Sequence, residues 1–145
     1  MANARPTGVT ILAILALIGG IFGVLFGILG LAGGALLGGI AASTTGAAAA
    51  ASIGFLVIIA GLLGLIGGVI YIVFFYGAWT AKAYGWALGI IGALWSLVTI
   101  VVGAIGSGDI MGSLLNVSTL ISVLIAAVIL YYLNTPAVKT YFGRA

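Results

Sequence analysis

The chain has no cysteine, no histidine and no glutamate, and its single acidic side chain is Asp109. Without cysteine there are no disulfides, thiolate metal sites or thiol chemistry. Without histidine, glutamate or a second aspartate, a carboxylate pair, an imidazole base or a histidine metal cluster cannot be assembled from one copy. The sequence therefore predicts no catalytic, cofactor-binding or metal site, and a protein that is not an enzyme. Charge is equally scarce. The four basic residues, Arg5, Lys82, Lys139 and Arg144, give a net charge of +3, too thin a footprint for nucleic acid. No segment matches a P-loop, and no GxGxxG follows a strand, so no small-molecule substrate is identifiable.

What fills the chain is apolar. Hydrophobic residues make up 65% of its 145 positions and charged residues 3%, and mean hydropathy is +1.50. Soluble chains average roughly 45–50% and 25%, so lipid is the solvent this composition suits. Four apolar segments follow, at about 9–31, 53–76, 86–105 and 114–133. Each reaches the roughly 20 residues a helix needs to span a bilayer. β-Barrel spans would alternate over about 10 residues, which these continuous runs do not. The first segment, preceded by Arg5 and followed by small residues such as Ala41 and Ala42, has the order of a secretory signal. Its apolar core exceeds the roughly 7–15 residues of such signals, so it is read as a span. The prediction is one all-α membrane unit over 1–145, an antiparallel up-and-down bundle of four helices with a short interfacial segment at 135–143. Residues 32–52 are nearly all Gly, Ala, Ser and Thr, and either flanking helix can extend into them.

With four spans, Arg5, Lys82, Lys139 and Arg144 share one side and Asp109 takes the other. The positive-inside rule makes the basic side cytoplasmic, placing both termini there and the chain in the cell membrane. Aromatic residues gather on that side too. Trp79, Lys82, Trp86, Lys139, Tyr141 and Arg144 form the expected contact with the lipid interface.

Small residues recur with a regular period. Ala13, Ala16, Gly20, Gly23, Gly27, Gly30 and Gly34 alternate steps of three and four, a period of 3.5 that holds one face toward one partner. The third segment repeats the spacing with Gly85, Gly89, Gly92, Ser96, Thr99, Gly103 and Gly106, and the second does so partly with Gly54, Gly61, Gly64 and Gly68. Lipid gives helices no hydrophobic reason to associate, so close backbone approach through small residues is how such a bundle holds together. An overlaid i, i+4 set, Gly19, Gly23 and Gly27 with Gly64 and Gly68, fits packing within one chain or a contact between copies.

The fourth segment differs, carrying Asn116, Thr119 and Ser122 with Ser118 near its outer end. These suit a polar lining, or local bonds to helix carbonyls and a neighbouring helix. Ser107, Gly108 and Asp109 precede an apolar run as N-cap residues do. Two functions follow. The first is a non-catalytic structural or accessory subunit that packs against itself or other membrane subunits. The second is a passive pathway for small solutes lined by the polar residues of the fourth helix.

The ends carry a further pattern. The opening Arg5, Pro6, Thr7, Gly8, Val9, Thr10, Ile11, Leu12, Ala13 and the closing run from Tyr131, Tyr132, Leu133 through Pro136, Val138, Lys139, Tyr141, Phe142 and Gly143 resemble a group of small prokaryotic membrane proteins of unknown function. The resemblance implies a four-span topology and supplies no catalytic residues. In the closing motif Thr135 suits an N-cap, Pro136 the first helical position and Gly143 a helix end. Val138, Tyr141 and Phe142 are then expected in the lipid interface.

Overall fold

The computed structural model describes residues 5–144. They form six helices and no strand: α1 (Thr7–Thr45), α2 (Ala47–Trp79), α3 (Ala83–Gly106), α4 (Ile110–Leu114), α5 (Val117–Leu133) and α6 (Pro136–Tyr141). Three of them, α1, α2 and α3, are long and apolar enough to cross a membrane, and α5 is a shorter apolar helix. The fold is that of an all-α integral membrane protein, in keeping with its exposed leucines, isoleucines and phenylalanines.

The Gly/Ala-rich stretch at 32–52 is helical on both sides of one residue. Gly46, at φ 92° and ψ 158°, joins α1 to α2 in backbone space that is essentially glycine-only. Alanine and glycine offer no side chain to stop a helix early, so both helices run on until this residue turns them.

At the other end of α2 the second connection is also short. Thr80 ends α2, Ala81 takes φ +53°, and the Lys82 amide donates to the Gly77 carbonyl at 3.0 Å, the six-to-one bond of a Schellman turn. α3 then starts at Ala83 and runs back along α2.

The fourth apolar segment is divided. Asp109 caps α4 by accepting from the Gly112 amide at 3.0 Å, and Asn116 caps α5 by accepting from the Ser118 amide at 3.0 Å. The expected span at 114–133 thus begins as a helix only at Val117. Its 17 residues reach roughly 26 Å, against about 30 Å of hydrocarbon. α1, with 39 residues, reaches roughly 58 Å.

The core is concentrated at the end where the chain begins and finishes. Val9, Ala13, Phe74, Leu133, Val138 and Phe142 are buried together there.

Candidate functional site

Two constructions use the residues singled out by the sequence. The first is the seam between α1 and α2. Gly20, Gly23, Gly27, Gly30 and Gly34 face Gly68, Gly64, Gly61 and Gly54 in antiparallel order. A methyl group placed on Gly61 would lie 2.7 Å from the Leu31 nitrogen and 2.9 Å from the Gly27 carbonyl oxygen, and one on Gly30 would lie 2.8 Å from the Gly61 Cα. Backbone meets backbone along this seam, and at Gly20, Gly27, Gly30, Gly61 and Gly68 an added Cβ would come closer than 3.0 Å to the facing backbone.

The α3 stripe behaves differently along its length. A methyl on Gly85 would lie 2.7 Å from the Gly77 carbonyl carbon, so α2 and α3 touch closely beside their turn. Further along, larger groups intervene. Gly89 faces Phe74 and Leu133, and Gly92 faces the Tyr71 ring. The Tyr71 hydroxyl donates to the Gly92 carbonyl at 3.1 Å and pairs with the Ser96 hydroxyl, while Thr99 donates to the Ser96 carbonyl at 2.8 Å. A methyl on Gly103 would meet nothing within 4 Å. This glycine borders a groove of about 450 Å³ between α2 and α3.

The second construction is a clasp that ties the two ends of the chain to the α2–α3 turn. The Arg5 guanidinium stacks 4.0 Å from the Trp79 ring centroid and donates to the Trp79 carbonyl at 2.7 Å and to the Tyr141 hydroxyl at 3.2 Å. That hydroxyl in turn donates to the Ala78 carbonyl at 2.9 Å. α6 ends in a full Schellman motif: Gly143, at φ +66°, donates to Thr140, and Arg144 donates to Lys139. This turn returns the Arg144 guanidinium over the Trp86 ring at 5.2 Å. Trp86 itself donates to the Leu133 carbonyl at 2.8 Å.

The clasp corrects one expectation from the sequence. Val138, Tyr141 and Phe142 do not face lipid. They are 0%, 9% and 1% exposed, because α6 folds beneath the bundle and sets Phe142 against Gly85. A six-residue helix with one apolar face reads the same whether that face meets lipid or protein. Thr135 also differs in detail. It precedes α6, but its hydroxyl donates back to the Tyr132 carbonyl at 2.7 Å rather than capping forward. Trp79 and Lys82 are exposed, and the Lys82 ammonium lies 5.8 Å from the Tyr76 ring and 5.9 Å from the Tyr84 ring. Lys139 is half-buried in the last turn of α6.

At the opposite end Asn116 and Thr119 border a cleft of about 310 Å³ with Thr99 and Ser113. Ser122 is exposed and donates to the Ser118 carbonyl at 2.8 Å. The Ser107 and Ser113 hydroxyls meet at 2.6 Å, linking the end of α3 to α4. Among the described residues no group of three His, Cys, Asp or Glu side chains comes together.

No protein-family model, curated protein or solved structure matches the chain. The class to which fold and site assign it is that of helical integral membrane proteins.

Proposed function

We propose that the protein is a non-catalytic structural or accessory subunit of a membrane assembly, a four-helix antiparallel bundle with both termini in the cytoplasm. The observation that carries this reading is the overhang of the α1–α2 hairpin. Gly106, at the end of α3, is level with Leu56 of α2. From Leu56 to the turn at Gly46 the hairpin continues for roughly 15 Å, past the level at which α3 gives way to Ser107 and Asp109. This extension exposes Leu36, Leu37 and Ile40 and contains no charged residue. Apolar side chains carried beyond the polar end of the bundle need cover, and a neighbouring subunit supplies it.

Orientation rests on charge. Arg5, Lys82, Lys139 and Arg144 gather at the clasp end and Asp109 lies at the other, so the positive-inside rule places the clasp in the cytoplasm. The pathway reading has less support, because the Asn116 Oδ1 and the Ser122 hydroxyl are taken by neighbouring backbone groups.

Because the chain lacks cysteine, a single Ile40→Cys substitution gives a clean test. Cross-linking in native membranes is expected to trap a species larger than the monomer, and the mildly detergent-extracted protein to elute above monomer mass. A lone monomer in both measurements would overturn the assignment. For orientation, Thr44→Cys is expected to react in intact cells with an impermeant maleimide and Thr80→Cys only after lysis.

A further inference from the structure

The helices do not close into a ring. α1 packs on α2, α2 on α3 and α3 on α5, but the α1–α5 seam is the loose one. Along it lies a cleft of about 530 Å³, within the range of small-molecule sites. Its floor is small or buried: Ala16, Phe74, Gly89 and Ala93. Its rims are exposed, with Leu15 on α1 at 59% and Leu124 and Val128 on α5 at 64% and 58%. The one polar group at its wall, the Tyr71 hydroxyl, is already bonded to the Gly92 carbonyl. Nothing in the cleft calls for water or a polar ligand, and its open side faces hydrocarbon.

Position gives the cleft a polarity. Leu12, at one end, is within two turns of the start of α1, and Ile129 is about one turn from the end of α5. Just past them Gly8 meets the Tyr132 ring, which closes the seam. The cleft thus occupies the half of the bundle nearest the clasp, where all four basic side chains lie and no acidic side chain exists. Arg5 and Arg144 are committed to aromatic rings, while the Lys139 ammonium is held by no hydrogen bond or ring. Anionic headgroups at a basic membrane face gain roughly 1 kcal/mol per nearby lysine or arginine.

We propose that the α1–α5 cleft holds one acyl chain of an anionic glycerophospholipid whose phosphate is drawn to the basic clasp, with Lys139 its free cation. The chain enters laterally through the loose seam. The headgroup stays outside, at the level where Tyr132 closes it.

Gly19 offers a direct test, because it lines the cleft yet has nothing within 4 Å of an added Cβ. Gly19→Leu fills the space from the α1 side, starting from a Cβ that meets no protein, and Val128→Trp fills it from the α5 rim. Gly33, equally open but outside the cleft, provides the control Gly33→Leu. The full chain is reconstituted in nanodiscs of equimolar phosphatidylglycerol and phosphatidylcholine, released, and its retained lipid counted by native mass spectrometry. The unaltered protein is expected to keep phosphatidylglycerol over phosphatidylcholine, and each filling variant to lose retention of both by about tenfold, equivalent to 1.4 kcal/mol. Gly33→Leu is expected to match the unaltered protein. Lys139→Gln is expected to lower the preference for phosphatidylglycerol while keeping total lipid retained. Full retention by both filling variants would overturn the proposal. So would equal retention of the two lipids by the unaltered protein, or a second copy of the chain in place of lipid. None of these outcomes bears on the exposed hairpin, so failure here is distinguishable from failure of the subunit assignment.

Discussion

Ala81 is the one described non-glycine residue with positive φ, at 53°. It holds the position after a helix C-cap that glycine usually takes. A left-handed backbone costs an L-residue about 1–2 kcal/mol, whereas glycine gives back about 0.5–1 kcal/mol through its freer unfolded state. Steric relief is the larger of the two. Ala81→Gly is therefore expected to stabilise the protein by up to about 1 kcal/mol, read as a higher thermal midpoint in detergent. Gly46 is the reverse case. Its φ and ψ exclude a side chain, so Gly46→Ala is expected to cost about 1–3 kcal/mol, although an added methyl there touches nothing. The penalty lies in the backbone alone. The two substitutions move stability in opposite directions by the same physical cause.

Among the helices, the α1 stripe was the most legible part of the sequence, because a period of 3.5 sustained from Ala13 to Gly34 has one geometric meaning. The α3 stripe was legible only in its first turns. Its spacing is as regular, but Phe74, Tyr71 and Trp95 hold the two helices apart, and the size of a partner's side chains cannot be read from the spacing of one's own small ones. Helix ends were less legible still. Residues 32–52 offer no stop signal except Gly46, one glycine among 25, and Asn116 gives no sign in sequence that it caps α5 rather than joins it. Gly61→Leu is expected to cost at least about 1–3 kcal/mol by overpacking, since its neighbours are backbone atoms that cannot yield. Gly103→Ala is expected to stabilise the protein by about 0.5–1 kcal/mol, read as a slightly higher thermal midpoint, because it replaces a glycine inside α3 with a methyl that meets nothing. Equal effects at the two glycines would show that the seam is not what joins α1 to α2.

At the scale of the whole molecule, the clasp joins segments from the two ends of the chain through few bonds. Arg5 reaches Tyr141 across 136 residues, and Tyr141 reaches Ala78 across 63. Tyr141→Phe removes a buried hydroxyl and leaves the Ala78 carbonyl without that donor, at an expected cost of about 1–3 kcal/mol. Arg5→Ala is expected to add the loss of a cation–π contact of about 0.5–2 kcal/mol. The double variant is expected to fall short of the sum of the singles, because the two residues share one network. Strict additivity in thermal unfolding would mean that Arg5 and Tyr141 act separately. The basic residues and aromatics that build the clasp were visible as a cluster at one end. Their inward direction was not, because sequence shows an amphipathic face but not the surface that covers it.

The unequal helix lengths bear on the surrounding bilayer. Wherever no neighbouring subunit covers the hairpin, the molecule offers lipid an apolar wall of roughly 58 Å on the side of α1 and one of roughly 26 Å on the side of α5. A membrane of uniform thickness matches neither, and mismatch is relieved by tilting, thinning or thickening at fractions of a kcal/mol per Å. The perimeter is thus wedge-like, and it favours sites where a thicker patch of membrane borders a thinner one, with α5 turned toward the thin side.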